Sequence, residues 1–255
     1  MREGECHHGM CVLTFHRIVE DCQEDHDITW RSLRHLLEII IAGGDAVDSR
    51  LASSAALRSR SLALTFDDAT EAHWRVGEEL ANRGISAIFF VPAGEVGQPG
   101  RLSARMVRDL HSWGHIIGSH GFMHTLLAEG MSFAEIRREL GDSRAFLEDH
   151  TGGRVSYFAP PGGAGCGLVS RRGEQFGYEA SRSMRWGIYG ALRDRWDIPC
   201  VPVTEFTLAR GWVTQALAAH RIPLAMRSAF VIKSLMPMRM RCSVRKMLHQ
   251  TLRVQ

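Results

Sequence analysis

Short runs with apolar residues on both faces recur along this chain, and they narrow its fold more than any other feature. They lie at 11–15, 62–66, 87–91, 115–118, 155–158 and 198–203, with a further strand expected at 178–182. Between them the apolar spacing switches to three and four. Trp30, Leu33, Leu36, Leu37, Ile40 and Ile41 share one face of a helix opened by Thr29 and closed by Gly43-Gly44. Further helices are expected at 71–83, at 103–113 with Ser103 as N-cap, at 132–150 and at 167–176; Ser132 and Glu135 form a capping box. Strands buried on both faces and alternating with amphipathic helices specify a parallel sheet with helices outside it. Six or seven such units in 255 residues favour a closed or distorted (β/α) barrel over an open doubly wound sheet. After Val203 the chain reads as helical, broken near Pro223 and Pro237.

Composition excludes several classes. With 45% hydrophobic and 23% charged residues, the chain is neither disordered, collagenous nor a coiled coil. No Gly-x-Gly-x-x-Gly follows the first strand and there is no Walker loop, so neither a dinucleotide nor a nucleoside triphosphate is suggested. The net charge of +3 hides a division. Through Glu205 there are 22 basic and 28 acidic side chains; after it come nine basic residues and no acidic one. The basic segment, with Arg239, Arg241, Arg245 and Lys246 among Met and Leu, suits either a solvated helix against the barrel or peripheral contact with an anionic membrane surface. Nucleic acid is not expected, because the body is acidic and aromatic–basic interleaving is absent. The N-terminus lacks a signal pattern and the six cysteines form no Cys-x-x-Cys pair, so reduced thiols and a cytoplasmic location are expected. A zinc knuckle of Cys6, His7, His8 and Cys11 fits no usual structural spacing.

In a parallel α/β barrel, chemistry sits at the C-terminal strand ends. Read in order, those ends carry His16, then Asp67-Asp68, then Ser119-His120 with His124, then the 160–163 loop. Adjacent carboxylates closing an apolar strand repel unless a cation compensates them. Alternatively, Asp68 caps the helix starting near Glu71. His120 and His124 lie four apart, on one face of a helix or turn. One carboxylate and two imidazoles supply three ligands and leave positions open, which suits a catalytic divalent metal. Zinc is the default; iron, cobalt, nickel and manganese accept the same donors.

Thr65-Phe66-Asp67-Asp68, then Gly118-Ser119-His120-Gly121-Phe122-Met123-His124, then Phe158-Ala159-Pro160-Pro161-Gly162, resemble the first three motifs of NodB-like polysaccharide deacetylases. Leu13-Thr-Phe-His16-Arg17-Ile18 resembles the opening of many bacterial members, and the 139–152 stretch resembles their helix before the third motif. The resemblance implies a distorted (β/α)7 barrel over residues 10–205, with 206–255 as a basic, mainly helical C-terminal extension. It implies a carbohydrate esterase, a hydrolase that removes N-acetyl groups from a saccharide or its precursor. Asp68, His120 and His124 would hold the metal, and Asp67 would be the base for a metal-bound water attacking the amide carbonyl. A backbone N–H of the Pro161–Gly162–Gly163 loop would hold the oxyanion.

Two features depart from the pattern. The third motif usually begins with Arg, and here that position is Ala159; Arg182 or Arg185 is the candidate replacement. The late Leu-x-His that furnishes the acid is not evident. His16 is the preferred acid, with a hydrogen-bonded core histidine as its bland reading, and Leu217-Ala-Ala-His220 is the alternative. Asp194, Trp196 and Asp197 only faintly match a fourth motif, and Trp186 and Tyr189 could stack on a sugar or pack in the core. These departures keep open a degenerate barrel that binds glycans or a partner without catalysis. A non-haem iron oxygenase shares the ligand types but not their order.

Overall fold

The computed structural model describes residues 9–51, 60–190 and 194–219. The strands among them are β1 (Gly9–Phe15), β2 (Arg17–Val19), β3 (Asp27–Thr29), β4 (Ala46–Val47), β5 (Arg60–Phe66), β6 (Ile88–Val91), β7 (Ile116–Ser119), β8 (Tyr157–Phe158), β9 (Ala180–Trp186) and β10 (Ile198–Pro202). Seven of these, β1 and β5 to β10, run parallel in sequence order around a ring. Pairing of β1 with β5, in register from Gly9↔Arg60 to Phe15↔Phe66, closes it. The fold is thus the expected (β/α)7 barrel.

The helices are α1 (Trp30–Gly43), α2 (Ala72–Asn82), α3 (Ala104–Ser112), α4 (Phe133–Ile136), α5 (Ser143–Thr151), α6 (Cys166–Arg172), α7 (Glu205–Ala209) and α8 (Trp212–Ala219). Thr29 and Ser103 cap α1 and α3, and the Ser132–Glu135 capping box is present. The helix expected over 132–150 is divided by a π-helical turn, Arg137–Asp142. The two- and three-residue strands β2, β3 and β4 were not legible, being too short to show a period.

Strand alternation sorts the core into two layers. Cys11, Leu13, Phe15, Leu64, Phe66, Phe89 and Val91 face outward onto the helices. There Phe15, Phe66 and Phe89 stack with centroids 4.8 and 5.0 Å apart. Met10, Val12, Ala63, Ile88, Phe90, Tyr157, Ala159, Ala180, Ile198 and Cys200 fill the lumen. Thr14 and Thr65 bridge hydroxyl to hydroxyl at 2.9 Å, just below the mouth. Extending these inward positions up the strands by two residues reaches Asp67 beyond Thr65, Arg182 beyond Ala180 and His120 beyond Gly118. Period-2 geometry alone therefore delivers three ionisable side chains to one opening.

Trp212, Val213, Ala216 and Leu217 of α8 join the same core, and Glu205 accepts hydrogen bonds from the N–H and hydroxyl of Thr29 at 2.8 Å each. The first residues of the predicted C-terminal extension, 206–219, are thus packed on the barrel; Pro223, Pro237 and the basic cluster lie outside the described residues. Cys11, Cys22, Cys166 and Cys200 are free thiols. Cys11 is buried in the core, and Cys6, His7 and His8 lie outside the described residues. No described helix is long and apolar enough to cross a membrane.

Candidate metal centre

Three strand ends build the centre. Asp67 stays in the ladder, its N–H donating to the Phe15 carbonyl at 2.9 Å, and His120 does the same to Val91. Asp68 leaves the strand in the left-handed region, with φ 72°, which turns its carboxylate back over the mouth. It does not cap α2, whose first turn has no side-chain cap. His120 and His124 are joined by a non-helical turn, with His124 itself at φ 55°. Glu139, buried in the π-helical turn, supports that turn by accepting from the N–H groups of Phe122 (2.8 Å) and Met123 (3.2 Å).

Asp68 Oδ1 lies 3.3 Å from His120 Nε2 and 3.2 Å from His124 Nε2. His120 Nδ1 is 2.6 Å from the Ala159 carbonyl, which can only accept, so that nitrogen carries a proton and Nε2 offers its lone pair. His124 Nε2 is buried without a hydrogen-bond partner. Lone pairs facing a carboxylate need a cation between them. The three donor atoms lie within 4.8 Å of one another. A tetrahedral ion with bonds of about 2.0–2.1 Å spaces its ligands roughly 3.3 Å apart, so the set fits a divalent cation.

Asp67, only 1% exposed, is held from behind by Arg182, which is wholly buried in the lumen. The guanidinium bonds Asp67 Oδ2 and lies 5.3 Å over the Phe90 ring. Burial opposes the charge on Arg182, and Asp67 more than restores it. Asp67 Oδ1 has no partner. Arg185, the other candidate, pairs instead with Asp197 at 2.8 Å. His16 Nε2 stands 3.7 Å from Asp67 Oδ2; burial lowers its pKa, opposed by Asp67 and Asp68. Behind it, the wholly buried His73 contacts the His16 carbonyl at 2.6 Å. His220 lies outside the described residues.

The 160–163 loop borders the same mouth through trans peptide bonds. Pro161 has no N–H, and the N–H of Gly163 is used by the Pro160 carbonyl at 2.9 Å. Of the three predicted oxyanion residues this leaves the Gly162 N–H as the free donor. Gly163, at φ 70°, must be glycine: a Cβ there would sit 2.6 Å from Met184 Cβ. Tyr189 is 3% exposed and joins the core, so it is not a sugar platform; Trp186 packs near Trp212, with centroids 6.3 Å apart. Asp194 caps the Trp196 N–H, a structural role.

Sequence reasoning missed Glu139, although its spacing put it on the buried stripe of Ile136, Leu140, Ser143 and Leu147. An acid on that stripe was the available signal.

Comparison with known proteins places these features in context. A family model described as polysaccharide deacetylase matches residues 54–181, half of the chain. No curated protein matches it significantly. Among solved structures, IcaB from Ammonifex degensii is 22% identical, with TM-score 0.67 over 83% of this chain and 96% of its own. The Streptococcus pyogenes deacetylase PplD, solved with acetate, is 16% identical, with TM-score 0.68 over 76% and 92%. A de-N-acetylase from Aggregatibacter actinomycetemcomitans is 16% identical, with TM-score 0.66 over 79% and 98%. At such identities these likenesses concern the fold.

Proposed function

Since the chain belongs to the polysaccharide deacetylase family, we propose that it is a metal-dependent hydrolase that removes N-acetyl groups from a saccharide. One observation carries the reading: the Asp68 carboxylate faces two imidazole nitrogens at 3.2–3.3 Å, beside a second buried carboxylate, Asp67. Asp68, His120 and His124 would hold the ion, zinc by default. When bound, a divalent cation polarises an acyl oxygen and acidifies water.

The remaining chemistry belongs to side chains. Arg182 occupies Asp67 Oδ2, so the unpartnered Oδ1 is the oxygen that accepts the proton of the attacking water. His16, with its pKa lowered, is neutral at rest and lies 3.7 Å from Asp67 Oδ2. Its Nε2 would take that proton from Asp67 and pass it to the departing amine nitrogen, which returns Asp67 to its starting form. The Gly162 N–H would hold charge developing on the acetyl oxygen. Water is consumed, and acetate and a free amine leave.

The rival, a non-catalytic glycan binder, draws its support from Ala159 and from the missing late histidine. Arg182 answers the first of these by reaching Asp67 from a different strand. The test is Asp67→Asn, assayed for acetate release from an N-acetylated oligosaccharide and for bound metal. Turnover should fall by about 10²–10⁴ with metal retained. An unaltered rate would remove Asp67 from the role of base.

A further inference from the structure

Between β6 and α3 the chain touches both ligand-bearing turns, through residues to which no role has been assigned. At its start, the N–H groups of Ala93 and Gly94 donate to the carbonyls of Gly121 and Phe122, at 3.0 and 2.8 Å, inside the His120–His124 turn. The approach is so close that a Cβ on Gly94 would lie 2.7 Å from the Phe122 oxygen. At its end, Leu102 N–H donates to Ala69 O at 2.9 Å and Gly100 O accepts from Glu71 N–H at 3.0 Å, gripping the turn after Asp68.

Two side chains connect these grips. Arg101 Nη1 donates to the Asp68 carbonyl at 2.7 Å, and its Nε pairs with Glu95 Oε2 at 2.8 Å. Glu95 Oε1 lies 3.9 Å from His124 Nδ1, the nitrogen opposite the one facing Asp68. A series of contacts therefore runs from the backbone of Asp68 through Arg101 and Glu95 to within 3.9 Å of the His124 imidazole. Both ends need external support, since Asp68, Ala69 and His124 all hold positive φ, which side-chain-bearing residues rarely adopt. The ion pair is too exposed to count for much in global stability, with side chains 19% and 30% accessible. Its value lies in where it is anchored.

We infer that the Glu95–Arg101 pair is an outer clamp on the metal site. Arg101 fixes the turn that presents Asp68, and Glu95 orients His124 so that Nδ1–H points outward and the Nε2 lone pair points at Asp68. Both are positioning residues: neither is among the three donors. Carboxylates behind ligating histidines commonly set tautomer and basicity, and their loss typically costs ten- to a hundredfold in metal affinity.

The inference rests on the metal reading above, and one titration separates the two. Full-length protein stripped by a chelator is titrated with Zn²⁺ against a competing indicator, and the metal-free melting temperature is recorded in parallel. Glu95→Gln and Arg101→Met should each weaken Zn²⁺ binding about ten- to a hundredfold without an equivalent drop in metal-free melting temperature. The double variant should lose little more than the worse single, because the pair acts as a unit. Arg101→Lys should not restore affinity, since one ammonium cannot replace the fork reaching Asp68 and Glu95 together. Arg105→Ala, at an exposed position on α3, should bind as wild type does. Wild-type affinity in Glu95→Gln and Arg101→Met would overturn the clamp alone. So would affinity losses that merely track lost metal-free stability. Failure of the wild-type protein to bind Zn²⁺ would overturn the metal site and the clamp with it.

Discussion

Arg182 shows what one residue does in this site. A guanidinium inside a barrel lumen is costly to bury, and the Asp67 carboxylate is the largest offset to that cost. Replacing it with a non-polar residue leaves a buried carboxylate unpaired. Arg182→Met should lower unfolding free energy by about 3–5 kcal/mol, read from urea midpoints, and slow turnover beyond any loss of folded protein. Arg182→Lys should rescue little activity, since a point charge does not reproduce the bond geometry. The sequence named Arg182 and Arg185 as equal candidates because both lie near a strand end. Inward alternation from Ala180 separates them once the strand bounds are known, and Asp67 then has one partner within the lumen. The cluster of Asp68, His120 and His124 at the barrel mouth was legible from residue type and strand position. The left-handed backbone at Asp68 and His124 was not, since neither is glycine.

At the level of elements, the paired turns do the work, and the helices hold them. The π-helical turn at Arg137–Asp142 lies where Glu139 points inward against the His120–His124 turn. Glu139→Ala would strand the N–H groups of Phe122 and Met123. We expect a cost of about 2–4 kcal/mol, with faster hydrogen exchange at those two amides than elsewhere in the barrel. Unchanged exchange there would show that the turn stands without the carboxylate. Sequence periodicity found this helix and its capping box but ran straight through the π turn, because a switch to i→i+5 bonding has no residue signature. The apolar runs located six of the seven barrel strands for the opposite reason, since burial on both faces leaves an unbroken hydrophobic record; β9, which carries Ser181, Arg182 and Ser183, has no such run and was expected only as a shorter strand at 178–182. Strand β8 proved shorter than the 155–158 run, because two residues are enough to connect β7 and β9.

The whole molecule couples site and core through buried histidine. His73 is wholly buried, its ring beside Phe66 and Phe89 at 5.5 and 6.2 Å, and burial pushes its pKa down to about 4. The folded value thus lies below the unfolded value of about 6.5. Between the two, the unfolded chain binds the extra proton, so the stabilisation is complete above pH 6.5 and is lost as pH falls toward 4. The loss approaches on the order of 3 kcal/mol. Urea midpoints from pH 4 to 8 should therefore slope more steeply for wild type than for His73→Gln, which keeps a donor to the His16 carbonyl. Equal slopes would refute the assignment. The opening charge division follows the fold only in part, since residues 206–219 of the basic segment already pack into the barrel core.

The central claim is that Asp68, His120 and His124 hold a metal on which deacetylation depends. It is tested most directly by measuring acetate released from an N-acetylated oligosaccharide while a divalent metal is added back to chelator-stripped protein. The account predicts no release without metal and a rate that saturates near one ion per chain. Acetate released at full rate by the stripped protein, or none at any metal loading, would contradict it.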